Sequence, residues 1–410
     1  VEDFGLRLMS VVGLFSMILI GYLFSADRKA IKWKTIISGV LLQICLGLLI
    51  LKLPWGQQIF EFARQLFTGI LEYTNEGSRF VFGDLTKYSK VGFVFATMVL
   101  PTIIFMSALM SILYHIGIMQ IVINFVAKIM VKIMGTSGAE SLSCAANIFA
   151  GQTEAPLVVK PYINNMTRSE LLAMMTGGMA TVAGGVLAAY VGFGIDAGHL
   201  LAASVMAAPA ALVLAKLFIP ETEVSHTVGV VKLKVEKTYS NLIEAAAAGA
   251  GEGLKLAVNV GAMLLAFIAL IALVNGMLGY ATGLVGIEGI TLEKLSGWLF
   301  APVAFIIGIP WDDCVNFGSL LGKKIILNEF VAYLDLKTMI EAQTMSPRAI
   351  TMATYALCGF ANFSSIAIQV GGIGTIAPER RGDLAKLGMK CLAGGMMAGL
   401  MTASIAGIFI

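Results

Sequence analysis

Apolar residues in this chain come in unbroken blocks of about twenty, the length of a helix that crosses a bilayer, and short polar knots separate them. Residues 4–25 and 36–53 are the first two blocks. The stretch from Asp27 to Lys34 between them carries Arg28, Lys29, Lys32 and Lys34, which marks a cytoplasmic loop and starts the N-terminus outside. Across 55–90, Ile59, Ala63, Leu66, Phe67 and Ile70 recur at helical spacing between Gln57, Gln58, Glu61, Arg64 and Gln65. That predicts an amphipathic helix at the outer interface, although a solvated loop helix fits the same spacing. Its Arg64, Arg79, Lys87 and Lys90 run against the positive-inside trend. Residues 91–114 predict a third span kinked at Pro101, and 117–134 an interfacial helix on the inside.

The next knot is Gly151-Gln152-Thr153-Glu154-Ala155-Pro156. The apolar segments on either side are too short to cross, so 138–165 predicts a re-entrant hairpin; a plain surface loop is the bland alternative. Thr153 is a candidate cap for the returning half-helix and Pro156 suits its first turn. A helix at 169–194 follows, with Ser169 as its expected cap and a break at Thr181-Val182-Ala183-Gly184-Gly185-Val186. A span at 197–219 ends at Pro220, and Lys232, Lys234 and Lys237 mark another inner loop. The tract 239–280 is too long to stand upright in a bilayer.

The order then repeats. An interfacial helix at 292–309 leads to a polar hairpin at 311–336, with Gly322, Lys323, Lys324, Asn328 and Glu329. Ser346-Pro347-Arg348 opens a helix that breaks between Gly359 and Ser365, and the last span is 383–410. The second break lies 14 residues after Arg348 (at Asn362) and the first lies 13 after Arg168 (at Thr181). An odd number of spans separates the two copies, so they are inverted, as in secondary transporters. The fold class is therefore an all-α integral membrane protein of about eight transmembrane helices. Two re-entrant hairpins, interfacial helices and an inverted repeat complete it. The expected divisions are 1–116, 117–219, 220–290 and 291–410.

Composition agrees. The chain has 410 residues, 58% hydrophobic and 13% charged, against about 25% charged in soluble domains, and its mean hydropathy is +0.87. A net charge of +3 gives no reason to expect a nucleic-acid partner. The five cysteines have no metal-ligand spacing and read as small core residues, and the three histidines are scattered. No small-residue cleavage site follows the first apolar block, so it is expected to be retained as a span. Numbering from Val1 and not from Met is what a sequence trimmed at its N-terminus would show.

Polar side chains at membrane depth are costly and point to function. Four clusters are expected to converge. The first tip offers Gln152, Thr153 and Glu154; the second offers Asn328 and Glu329. The second break offers Asn362, Ser364 and Ser365, and the first offers Thr181 beside Val186. Carboxylates with amides and hydroxyls fix hydroxyl groups and amide-like edges. With no arginine among them they suit a neutral polyhydroxylated or heterocyclic solute. Phe360 can line such a site, whereas Phe363 reads first as packing. The competing structural reading pairs Glu154 or Glu329 with Lys160, Lys323 or Lys324.

The 151–156 knot, the run from Gly322 to Tyr333 with Asn328-Glu329-Phe330-Val331-Ala332-Tyr333, and Cys358-Gly359-Phe360-Ala361-Asn362-Phe363-Ser364-Ser365 together resemble the concentrative nucleoside transporter family, in its bacterial form. The resemblance covers essentially the whole chain. It implies a homotrimer in the cell inner membrane, with a static scaffold and a transport subdomain that moves as an elevator and imports nucleosides by sodium symport. Both termini would face the extracytoplasmic side. It implies that Gln152, Thr153, Glu154 and Val186 meet the base of a uridine-like substrate, that Asn328, Glu329, Asn362 and Ser365 meet the ribose, and that Phe360 lines the pocket. Na+ would lie between Asn147, Thr181 and the carbonyls of Ala150 and Val182, and no organic cofactor is implied. Gly185 departs from the family, which often has Ser there. The third span and 239–280 are expected in the static part. Proton coupling of the same fold stays open as an alternative. A membrane-embedded hydrolase is disfavoured, because no nucleophile motif or metal ligands accompany the two carboxylates.

Overall fold

A computed structural model describes residues 2–229, 239–284, 286–287 and 289–410; Lys232, Lys234 and Lys237 lie outside the described residues. Those described are helical wherever they are regular, with no strand among them. The two opening blocks become α1 (Glu2–Leu23) and α2 (Trp33–Leu51). The amphipathic stretch becomes α3 (Pro54–Phe82), which buries little beyond Gly56, Leu71, Thr74 and Ser78. A short α4 (Tyr88–Val91) precedes the third span, which comes in two pieces, α5 (Phe95–Met98) and α6 (Leu100–His115). Pro101 does not kink a continuous helix. It sits in the first turn of α6, where its missing N–H costs nothing, and the interruption falls just before it.

The first repeat begins with α7 (Ile118–Met134). The hairpin arms are α8 (Gly138–Asn147) and a four-residue α9 (Ala155–Val158) that continues as a 3-10 turn. The broken helix is α10 (Arg168–Ala180) with α11 (Gly184–Gly192), and α12 (Ala197–Phe218) is intact. Then comes α13 (Leu242–Gly283), at 42 residues. The second repeat is α14 (Leu292–Ile306), the hairpin α15 (Cys314–Ile326) and α16 (Glu329–Glu341), the broken α17 (Pro347–Leu357) and α18 (Phe363–Ile376), and the intact α19 (Arg381–Phe409). Seven helices among the described residues are long and apolar enough to cross a membrane. The α17–α18 pair supplies an eighth in two pieces.

Two expected caps move. Ser169 does not cap α10; Thr167 does, in a reciprocal capping box with Glu170. Ser169 instead accepts from Lys216 Nζ at 2.9 Å and donates to the Ile219 carbonyl. Lys216 also reaches Glu140 at 2.6 Å, with both side chains almost wholly buried. This knot ties the starts of α8 and α10 to the end of α12. Thr153 caps nothing: the N-cap position of α9 is Glu154, which makes no side-chain cap, and four residues carry no useful dipole.

Helix α12 is buried around most of its surface, as a helix apolar on all faces between His199 and Lys216 must be. Around it pack α1, α2, α10 and α19. So α1 and α2 pack chiefly on α12 and α19 and not on the third span. Helix α13 lies outside this body. At 1.5 Å per residue it is about 63 Å long, twice the hydrocarbon thickness of about 30 Å, so it must tilt or protrude. It buries a single stripe at three- to four-residue spacing: Ala245, Gly249, Gly253, Ala257, Val260 and Leu264. Small residues there let α6 approach closely. A Cβ on Gly249 would stand 2.7 Å from the Ser107 carbonyl oxygen and 2.9 Å from Ala108 Cα.

Gly249→Leu should therefore force α6 and α13 apart and cost about 1–3 kcal/mol. Gly251→Leu, two residues away in open space, should cost nothing. Heating the two purified variants and following the monodisperse fraction by size exclusion compares them directly. An unaltered midpoint for Gly249→Leu would show that the helices are not held at this separation.

Candidate functional site

Each hairpin tip and each helix break delivers polar atoms because its backbone cannot finish a helix there. At the second break Asn362 caps α18: its Oδ1 accepts from Ser365 N–H at 2.8 Å and from Ser364 Oγ at 2.7 Å. Its other end, Nδ2, donates to Glu329 Oε2 at 3.1 Å. At the second tip Asn328 Oδ1 caps α16 through the Val331 N–H, at 3.0 Å. Glu329 Oε1 accepts from the Tyr190 hydroxyl at 2.9 Å. At the first tip Glu154 folds back, and its Oε2 accepts from the Gly151 N–H at 3.1 Å. Gln152 Nε2 donates to Ser365 Oγ at 3.0 Å. The two tips and the second break are thus joined in one chain of hydrogen bonds, which Tyr190 of α11 extends into the first repeat.

These groups wall a cavity of about 180 Å³. Gln152, Thr153, Glu154, Val186, Asn328, Glu329, Phe360, Asn362, Ser364 and Ser365 all line it. So the expected convergence of the two tips and the second break is present, with Val186 from the first broken helix. Phe363 is half exposed and does not line it. Thr181 is not a lining residue either; it lies buried behind, with its Oγ1 donating to the Gly177 carbonyl at 2.9 Å.

The pairing of the tip carboxylates with lysine is absent among the described residues. Lys323 pairs with Glu293 and Asp335, and Lys324 Nζ donates to the Ala356 carbonyl at 2.8 Å. Glu154 and Glu329 keep their oxygens for the cavity and its polar chain. Gly185, where the resemblance led us to expect Ser, packs on α6. A Cβ there would stand 3.3 Å from Ser107 Oγ.

Several site residues escaped the sequence reading. The apolar wall comes from α13, through Leu256, Val260, Met263 and Leu264. Tyr190, fully buried and stacked on Tyr333 at 4.2 Å between ring centroids, holds Glu329. A lone hydroxyl in the aliphatic run Gly184–Gly192 was the available signal.

Behind the first tip lies a second group of oxygens. Asn147 is fully buried; its Nδ2 donates to the Ser143 carbonyl at 3.1 Å, while its Oδ1 has no partner. Asn147 and Thr181 meet across Gly177, where a Cβ would stand 3.3 Å from Asn147 Nδ2. The carbonyls of Ile148 and Phe149 are taken by Ser204 Oγ and by the Gly184 N–H. Those of Ala150 and Val182 accept no hydrogen bond among the described residues. An orphaned buried amide oxygen beside a hydroxyl and free carbonyls is an oxygen-only set of the kind a hard cation takes.

Comparison with known proteins gives this geometry a family. Residues 12–85 match the family described as Na+ dependent nucleoside transporter N-terminus, and 199–407 its C-terminus. Residues 96–197 match a gate family described as nucleoside recognition. The chain is 48% identical over 404 residues to the uncharacterized transporter YutK of Bacillus subtilis, covering 98% of this chain and 99% of that one. It is 43% identical over 413 residues to the nucleoside permease NupC of Helicobacter pylori, covering 98% of each. The structure of CNTnw in an inward-facing substrate-bound state superposes with a TM-score of 0.93 at 46% identity, over 98% of both chains. A polar cavity between two hairpins and two broken helices, in a membrane chain so matched along its length, belongs to the Na+-dependent nucleoside transporter family, whose members are transporters and not enzymes.

Proposed function

We propose that this chain imports nucleosides, uridine among them, by sodium symport with an elevator motion, as a homotrimer in the cell inner membrane. The observation that carries this reading is the single cavity on which both repeats converge, with one polar side and one apolar side. The polar side matches a ribose and a base edge. Glu329 with Asn328, Asn362 and Ser365 would take the ribose hydroxyls, because a carboxylate held by two donors still has lone pairs to accept from them. Gln152, Thr153 and Glu154 would meet the base, with Val186 and Phe360 flanking it.

We assign Na+ to Asn147 Oδ1, Thr181 Oγ1 and the carbonyls of Ala150 and Val182. When bound, the ion supplies charge that the orphaned oxygens need, and it ties the first tip to the first break. The hairpins and broken helices would travel together, with α6 and α13 static. The apolar side chains of Leu256, Val260, Met263 and Leu264 would give the moving body a wall without polar contacts to break. The basic stretch Arg28–Ala30 and its neighbours would lie inside, leaving both termini on the extracytoplasmic side.

Uptake of labelled uridine into liposomes checks substrate and ion together. An inward sodium gradient should drive accumulation, and Glu329→Gln should reduce it by about a hundredfold through the loss of a charged hydrogen-bond acceptor. Thr181→Val should raise the sodium concentration for half-maximal rate about tenfold, with a smaller effect on uridine. Accumulation driven by protons instead would keep the substrate and remove the sodium assignment.

Tyr190→Phe keeps the ring stack on Tyr333 and deletes only the hydroxyl that donates to Glu329. Its KM for uridine should rise about tenfold at nearly unchanged Vmax; equal kinetics would mean that Glu329 needs no such support.

The motion is read from spin-label distances in a Cys45→Ser background, since Cys45 is the exposed cysteine. A label on α13 at Leu273 and one on α16 at Glu341 should change separation when sodium and uridine are added. Labels on α13 and α6 should not. A constant α13–α16 distance would exclude the elevator.

A further inference from the structure

Behind the cavity, outside its lining, Gln369 of α18 is fully buried among three polar partners. Its Nε2 donates to the Met175 carbonyl at 3.0 Å and to Gln152 Oε1 at 3.1 Å. Its Oε1 accepts from Cys391 Sγ at 3.5 Å. A backbone carbonyl can only accept, so the Met175 oxygen fixes which end of the Gln369 amide is the NH2. That NH2 then requires the oxygen end of Gln152 to face inward. The nitrogen end of Gln152 is left on the cavity side, where it donates to Ser365.

We propose that Gln369 is the positioning residue that fixes the amide polarity of Gln152, and through it the nucleobase edge the cavity accepts. This rests on the nucleoside reading above, in which Gln152 meets the base. The packing is arranged around the pair. A Cβ on Gly178 of α10 would lie 2.8 Å from Gln369 Nε2 and 3.0 Å from Gln152 Cβ, so only glycine leaves room there. On the other side of the tip, a Cβ on Gly372 would lie 2.6 Å from the Thr153 methyl. The inverted repeat holds a counterpart. Gln369 sits on the second half of the broken helix of repeat two and holds the tip of hairpin one. Tyr190 sits on the second half of the broken helix of repeat one and holds the tip of hairpin two. Each hairpin is braced by a buried side chain of the opposite repeat.

With an N–H of Gln152 toward the cavity, the site favours a base edge that accepts, such as the 4-carbonyl of uracil, over the 4-amino group of cytosine. Gln369→Glu reverses this. A protonated carboxyl places a hydroxyl where the NH2 stood: its single hydrogen goes to the Met175 carbonyl and its lone pairs face Gln152, whose amide must then flip. The ratio of KM for cytidine to KM for uridine should fall by about tenfold at similar Vmax, the effect of one mismatched buried hydrogen bond. Gln369→Leu removes the brace without imposing the opposite polarity, and should bring the ratio several-fold toward equality. A merely structural role would lower Vmax or folded yield for both nucleosides alike; an unchanged ratio in whichever variant folds overturns the proposal. A second readout is independent of transport. With 15N-glutamine labelling, the Gln152 side-chain NH2 should be protected from hydrogen exchange in the parent protein and lose that protection in Gln369→Leu. Unchanged protection would remove the brace whatever is transported, whereas failure of the parent to take up either nucleoside, with protection intact, would fault the nucleoside reading alone.

Discussion

The structure depends on two broken helices that cross at their breaks. A helix interrupted in a low-dielectric interior leaves N–H and C=O groups that must find partners, or each costs free energy comparable to a lost hydrogen bond. Here the breaks are set against each other. Gly359 takes φ +123°, and a Cβ on it would meet the Met179 carbonyl oxygen at 2.6 Å and the Ala180 carbonyl carbon at 2.7 Å. No other residue tolerates both that backbone angle and that approach. Behind them α19 presses its own backbone close: Cβ atoms on Gly395 and Gly399 would strike Met179 and the Ala356 carbonyl. With the backbones this near, no side chain fills the crossing. The polar side chains that cap the second break and the second tip, Asn362 and Asn328, are left free to project from it into one cavity.

Much of this was legible along the chain. The spans, the two hairpins and the double order of elements follow from lengths of apolar runs and from where Gly, Pro and polar residues interrupt them. Asn362 at the second break and Asn328 at the second tip are recognisable caps, and their capping role is what aims them. What the sequence hid is what depends on distant partners. Ser169 looked like the cap of α10, but Lys216, 47 residues away, claims its hydroxyl. Thr153 looked like a cap for a returning helix, but that helix has only four residues and the threonine methyl is spent on Gly372. The α13 wall was hard to read because Leu256, Val260 and Leu264 belong to an apolar run, 256–264, in which Asn259 is the single polar residue. Gln369 and Tyr190 were visible only as lone polar residues in apolar helices, without a sign of whom they meet.

The wiring bears on selectivity. Most polar side chains on the cavity's polar side are engaged before any solute arrives: Asn362 by the α18 N-terminus and Glu329, Gln152 by Ser365 and Gln369, Glu329 by Tyr190 and Asn362. Groups held in this way lose little rotamer freedom when a solute binds, so more of each new hydrogen bond appears as affinity. They also reject solutes whose donors and acceptors are misplaced, since the site cannot rotate to meet them. Glu154 is less engaged. It carries one internal bond, from Gly151, and opens into the cavity.

Ion and solute sites of this kind can communicate without a long pathway. Asn147 ends α8, and Gln152 and Glu154 sit on the turn that follows it. The Gly184 N–H bonded to the Phe149 carbonyl at 2.9 Å already clamps that turn to the first break. A cation drawing in the Asn147 Oδ1, the Ala150 carbonyl and Thr181 would fix the remaining freedom of the same turn, on either side of that clamp. Whatever orders the turn also orders Gln152 and Glu154, so an ion bound there would lower the entropic cost that a solute would otherwise meet, and linkage would require the solute to do the same for the ion. With the proposed sites, the coupling of ion to solute would reside in a segment of eight residues, 147–154. The rest of the inverted repeat would then hold the ends of that segment in place while both ligands come and go.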